Sequence, residues 1–169
     1  MSAIVPFEPR HAPGAVRVIG AVFRDYGVTF DLFEFDADLT DIPRHYLASG
    51  GCFVVLEDDG RVVGTAAAVP HSPATCEVKR VYLLSEYRGR GHGRALLEHV
   101  LGWAERAGYL VALAWSDTRF ATAHGVYERL GFVRFGERTL DDLDRSREYG
   151  FKKRLGPNTP ASATEEGLG

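Results

Sequence analysis

Cysteine is scarce in this chain. Cys52 and Cys76 are the two in 169 residues, far apart and in no paired motif. The expectation is therefore free, buried thiols in a reducing cytosol rather than a disulfide framework. Long apolar runs are missing too, and none approaches the ~20 residues that span a bilayer. The start of the chain, Met1 to Pro9, carries Glu8 and lacks the apolar core of a signal peptide. These absences predict a soluble, cytoplasmic protein with no membrane partner. Metal-ligand spacing is absent among the six histidines, so no metal is expected. Positive charge is not in excess: 20 Lys and Arg stand against 23 Asp and Glu, a net charge of −3 with pI near 6.1. That balance argues against a nucleic-acid partner. Internal repeats are also lacking.

What remains is 45% hydrophobic and 25% charged, which suits one globular domain over residues 1–155. A chain of this size buries roughly 70% of its unfolded surface. The positive charge is local. Arg88-Gly89-Arg90-Gly91-His92-Gly93-Arg94 holds three arginines and three glycines between the apolar run Val81–Leu84 and the helical pattern from Ala95. Glycine lets backbone approach a ligand closely. The first turn of a helix presents unpaired N–H groups and the positive end of its dipole. Arginine adds forked donors suited to phosphate. The run reads as an anion pocket. A Rossmann fingerprint needs Gly-x-Gly-x-x-Gly, but the spacing here is Gly-x-Gly-x-Gly.

Periodicity and turn signals give the rest. Ile4 to Glu8 reads as a strand. A helix opens at Pro13 and Gly14, carries Val16, Ile19, Gly20 and Phe23 on one face, and ends near Gly27. Asp25 to Asp41 has six acidic residues, no Lys or Arg, and interleaved aromatics. A short helix follows, capped by Asp41 with Pro43 in its first turn. Cys52–Leu56 and Arg61–Val69 read as strands joined by an Asp-Gly turn, with Pro70 to Pro73 breaking the sheet. Ala74–Leu84 is a strand. After the glycine run, Leu96, Leu97, Val100, Leu101 and Ala104 form a helical stripe ended by Gly108. Leu110–Trp115 reads as a strand buried on both faces. Thr118–Leu130 is helical, and Phe132–Arg138 and Arg147–Leu155 are strands. Pro157 to Gly169 reads as a disordered tail, so that residues 156–169 lie outside the domain. The order predicts a mixed α/β (α+β) sheet with helices on both faces.

This order, with this loop, resembles the GNAT superfamily of acetyl-CoA-dependent N-acetyltransferases. The family loop reads Gln/Arg-x-x-Gly-x-Gly/Ala, and Arg88 to Gly93 matches it. A second family mark, Tyr-x-x-x-Gly-Phe, is matched by Tyr127 to Phe132. The resemblance covers roughly residues 3 to 155. It implies a mostly antiparallel central sheet of about seven strands with about four helices. One departure stands out: many members carry an Asn seven residues before the tyrosine, where this chain has Phe120.

The resemblance implies acetyl-CoA as acetyl donor and no metal. It implies that Arg88, Gly89, Arg90, Gly91, His92, Gly93 and Arg94 hold the pyrophosphate, and that the backbone of Val81, Tyr82 and Leu83 pairs with the pantetheine arm. Tyr127 is implied as the acid that protonates the leaving thiolate; as a residue on an apolar helix face it also reads as core. Glu77, eleven residues before Arg88, is implied as general base; it also reads as a solvated strand residue paired with Lys79 or Arg80. His124 is a candidate base or substrate contact, or a structural histidine. Asp117 binds a cationic amine or caps the following helix. The acidic segment suits a cationic acceptor, or is a solvated surface. The function implied is N-acetyl transfer to a primary amine (a small amine, an amino acid, or a lysine or N-terminal amine) by direct attack in a ternary complex. A small-molecule acceptor is preferred to a protein, and a homodimer is allowed. The alternative is a CoA-binding sensor without turnover.

Overall fold

The computed structural model describes residues 1–156. The tail expected from Pro157 onward lies outside the described residues. Seven strands, β1 (Ser2–Pro6), β2 (Cys52–Asp58), β3 (Arg61–Ser72), β4 (Thr75–Leu83), β5 (Val111–Asp117), β6 (Val133–Thr139) and β7 (Arg147–Arg154), form one sheet in the order β1-β2-β3-β4-β5-β7-β6. Every pairing is antiparallel except β4 with β5. Among the described residues there are three α-helices, α1 (Ala12–Tyr26), α2 (His92–Arg106) and α3 (Ala121–Arg129), and a five-residue helix at Pro43–Leu47. The order of elements predicts a mixed sheet, and the mostly antiparallel seven-stranded sheet with four helices is the one that the resemblance implies.

Local chemistry explains the elements. Asp59 and Gly60 close the β2–β3 hairpin with φ of 50° and 79°, the left-handed pair that a two-residue turn matching strand twist requires. Asp41 caps the short helix, its Oδ1 accepting the Arg44 amide at 3.3 Å. That helix is wide: the Ala48 amide reaches the Pro43 carbonyl at 2.8 Å, a five-residue span. The α2 stripe is buried as expected, from Leu96 through Ala104. On α1 the buried stripe is instead Ala15, Val18, Ile19 and Val22 with Phe23, rotated from the face read in the sequence. Val16 and Gly20 sit at its flank, where Phe30 covers Gly20.

Helices α1 and α2 pack on opposite faces. Gly14 of α1 lies against Val62, whereas Leu96 of α2 lies over Gly64. Val62 and Gly64 pair with Glu57 and Leu56, consecutive residues of β2, so a bulge at Val63 turns them to opposite sides. Each fully buried Leu or Val of this two-sided core contributes about 1.5–3 kcal/mol.

Two strand readings are corrected. Strand β3 does not stop at Pro70; it runs to Ser72, and Pro70 pairs with Cys76. Its β2 edge is free beyond Ala68, so the missing proline N–H breaks no ladder on that side. Strand β5 is not buried on both faces. Ala112, Ala114 and Ser116 are buried while Val111, Leu113 and Trp115 are partly exposed, and Trp115 lines a cavity. Cys52 and Cys76 are free, and burial pushes both thiols up to about 11. Among the described residues no helix is long and apolar enough to cross a membrane.

Candidate active site

Strands β4 and β5 run together and then part. Their parallel pairing ends at Val78 with Ala114. Strand β5 continues against β7 to Asp117, while β4 continues against β3 to Leu83. The backbone of Lys79 to Leu83 is therefore unpaired toward β5. A cavity of about 390 Å³ fills the opening, and Glu77, Val81, Tyr82, Leu83, Asp117 and Tyr127 all line it.

A bulge fixes the shape of β4 here. Lys79 pairs with Ala67 and Tyr82 with Thr65, so Arg80 and Val81 share one position. Arg80 takes a φ of 57°, a left-handed conformation that costs a non-glycine residue about 1–2 kcal/mol. It is held by its partners. The Thr65 hydroxyl donates to its carbonyl at 2.7 Å, and its guanidinium binds Asp36 at 3.0 Å and Asp38 at 2.6 Å. Tyr46 donates to Asp38 as well. Two carboxylates of the acidic segment are thus neither a free acceptor surface nor solvated: they fasten that segment to the bulge. Burial alone raises the Asp38 carboxyl, but Arg80 and Tyr46 outweigh it and hold it below its usual range.

The glycine run closes one end. Gly91 is the N-cap of α2 with φ of 82°, and Gly89 has φ of 79°. The Ala95 amide makes the first helical bond, to Gly91 at 3.0 Å. Among the described residues the amides of Gly89 to Arg94 donate to no acceptor. Nothing lies within 4 Å of a Cβ built on Gly89, Gly91 or Gly93. Arg88 and Gly93 line the cavity; Gly89, Arg90, Gly91, His92 and Arg94 extend the run outside it. Open amides beside an unpaired strand edge fit a phosphate-bearing donor with an extended arm.

Tyr127 is 5% exposed, with its ring stacked on Phe151 at 5.3 Å between centroids. Its hydroxyl makes no hydrogen bond among the described residues, yet no buried side-chain oxygen is left unsatisfied. The hydroxyl therefore opens to the cavity. Burial, then the nearby Tyr82 and Glu148, push its phenol up and keep it protonated. The core reading and the acid reading of this residue hold together: a core ring carries a free proton donor.

Glu77 lines the cavity and bonds to neither Lys79 nor Arg80. Sequence reasoning missed its companion, Glu148. That residue faces Asp117 across β5–β7 and Arg138 across β6–β7. Arg138 binds it at 2.8 Å through Nε and stacks over Trp115 at 4.3 Å. Burial raises the Glu148 carboxyl, Arg138 opposes this, and the charges of Asp117 and Glu77 add to the rise.

Asp117 lines the cavity, but its carboxylate is occupied. It accepts the Arg119 amide at 2.9 Å and the Arg119 guanidinium at 2.8 Å on each oxygen. Burial raises this carboxyl and the Arg119 bonds more than reverse it. Arg119 also donates to the Gly27 carbonyl and to Ser146, and so joins three loops. His124 does not line the cavity. It bonds Ser116 at 3.1 Å and packs between Tyr149 and Phe151, a structural position, and burial lowers its pKa.

The model of the acetyltransferase (GNAT) family matches residues 20–132. N-acetyltransferase 8B of Homo sapiens is 36% identical over 106 residues, covering 59% of this chain and 47% of that one. N-acetylaspartate synthetase of Danio rerio is 35% identical over 114 residues, covering 64% and 40%. The chain thus spans less than half the length of these two relatives. An acetyltransferase of the GNAT family from Staphylococcus aureus Mu50 superposes with a TM-score of 0.82 at 19% identity, covering 92% of this chain and 99% of that one. The structure of yncA from Salmonella typhimurium with its cofactor acetyl-CoA superposes at 0.75 with 19% identity, covering 94% and 96%. These two likenesses concern the fold.

Proposed function

The chain belongs to the acetyltransferase (GNAT) family, and on that premise we propose that it transfers the acetyl group of acetyl-CoA to a primary amine. One observation carries the reading: the free hydroxyl of Tyr127 opens to the same cavity as the unpaired edge of β4 and the start of the glycine run.

In this reading the amides of Gly89 to Arg94 hold the pyrophosphate, and Arg88, Arg90 and Arg94 add charge. The backbone of Val81 to Leu83 takes the extended arm as an added strand and offers N–H groups to the carbonyl oxygen. Bound acetyl-CoA supplies an acetyl thioester, an acyl carbon activated toward an amine. An ammonium has no lone pair, so Glu77 takes one of its protons, directly or through water. Tyr127 gives its phenol proton to the sulfur as the nitrogen–carbon bond replaces the carbon–sulfur bond. Each turnover releases one proton net. Burial keeps the phenol of Tyr127 protonated at neutral pH, as a proton donor must be before it reacts. The free thiols of Cys52 and Cys76 support a reducing, cytoplasmic setting.

Incubation with acetyl-CoA and a panel of amines tests the proposal. The Danio rerio relative is named for N-acetylaspartate, so amino acids belong in that panel beside small amines and peptide lysines. Thiol release with a product heavier by one acetyl group is expected. Acetyl-CoA binding without thiol release on any acceptor overturns turnover and leaves a CoA-binding regulatory domain.

A further inference from the structure

The charges of the cavity bear on the acceptor. Eight carboxylates and four cationic side chains line it. Two of the cations are already neutralised, Arg80 by Asp36 and Asp38, and Arg138 by Glu148. Arg88 sits at the glycine-run end, over Tyr26 at 5.3 Å. Lys79 is exposed. Lys79 is therefore the one lining cation away from the glycine run that no carboxylate pairs with among the described residues. The carboxylates are not balanced in return. Glu77 has no hydrogen bond or ion pair among the described residues, and it lines the cavity. Glu148 is 14% exposed and close enough to Glu77 and Asp117 to feel both charges.

Tyr127 provides an independent mark. It is 5% exposed, lines the same cavity, and its hydroxyl has no partner among the described residues. An unpartnered, largely buried hydroxyl marks a place built for a ligand, and the uncompensated carboxylates beside it favour a positive group on that ligand.

We infer that the acceptor is a cationic aliphatic amine, a diamine, without a carboxylate near its reacting nitrogen, and that Glu77 and Glu148 hold its ammonium beside Trp115. The inference rests on the acetyltransferase reading of the same cavity. An α-amino acid would bring its carboxylate against Glu77 and Glu148, with only the solvent-exposed Lys79 to meet it. A diamine brings a second ammonium, for which Asp31 and Asp142, lining carboxylates that accept backbone amides and pair with no cation among the described residues, carry uncompensated charge. Like-charge contact penalises the wrong acceptor as strongly as the ion pairs favour the right one.

The test is calorimetric titration of the chain with diaminobutane and with aspartate, in the presence and absence of CoA. CoA lacks the acetyl group and permits no turnover. Diaminobutane is expected to bind at least about tenfold more tightly than aspartate, and Glu148→Gln and Glu77→Gln are each expected to weaken it by about tenfold. Unchanged CoA affinity and an unchanged circular dichroism spectrum show that the variants fold. Aspartate binding as tightly as the diamine overturns the inference, as does wild-type diamine affinity in both variants. Normal CoA binding with no diamine binding sinks the inference alone. Normal diamine binding with no CoA binding sinks the acetyltransferase reading alone.

Discussion

Arg80 grips Asp38 through two nitrogens, Nε at 3.1 Å and Nη2 at 2.6 Å, and so joins the bulge of β4 to the segment that follows α1. The pair is largely buried, with the Arg80 side chain 9% exposed. Removing one partner leaves uncompensated buried charge, which costs about 3–5 kcal/mol. Arg80→Met is expected to lower the unfolding free energy by that amount in urea titration, since Asp36 and Asp38 both lose their partner. A loss under about 1 kcal/mol would mean that the segment is held by other contacts.

His124 gives a pH signature. Burial lowers its pKa in the folded chain, whereas an unfolded imidazole titrates near about 6.5. Below that pH the unfolded chain binds a proton that the folded chain resists. Stability therefore falls as pH drops through about 6.5 toward the folded value, and His124 contributes no slope above it. His124→Phe keeps a ring between Tyr149 and Phe151 and removes the titration. Its unfolding free energy is expected to drop less than that of the wild type between pH 7 and pH 5. Equal drops would assign the acid sensitivity to other groups.

Gly91→Trp probes the donor site. Open space above Gly91 will admit the side chain, and its φ of 82° will strain it by about 1–2 kcal/mol. The domain is expected to fold and to lose acetyl-CoA binding, because the indole covers the amides at the start of α2. Normal affinity in a folded variant would remove the glycine run from the donor site.

The architecture was legible because its signals are local and repeated. Asp59-Gly60 demands a hairpin, the Leu96–Ala104 stripe demands a helix facing a core, and Gly89 and Gly91 permit the left-handed turns that open α2. What was not legible depends on distant partners. Arg80 reads as one more charge on a strand; only the Thr65–Tyr82 register shows that a bulge turns it toward Asp36 and Asp38. Glu148 sits in a hairpin of alternating charges, where Glu137 with Arg147 and Arg138 with Glu148 look equivalent. The structure separates them: the first pair is exposed, and the second lies against Trp115 at the cavity. Asp117 reads as an amine ligand or a helix cap, yet Arg119, two residues on, folds back and occupies its carboxylate. Pro70 looked like a strand breaker because nothing local reveals that its β2 edge has no neighbour.

The most direct measurement is Tyr127→Phe with kcat and acetyl-CoA affinity determined together. The substitution removes the free hydroxyl and keeps the ring stacked on Phe151. Loss of a positioned proton donor lowers rates by about 10²–10⁴-fold. A fall in kcat of at least about 10²-fold with acetyl-CoA affinity unchanged is expected. An unchanged kcat would contradict it and return Tyr127 to the core alone.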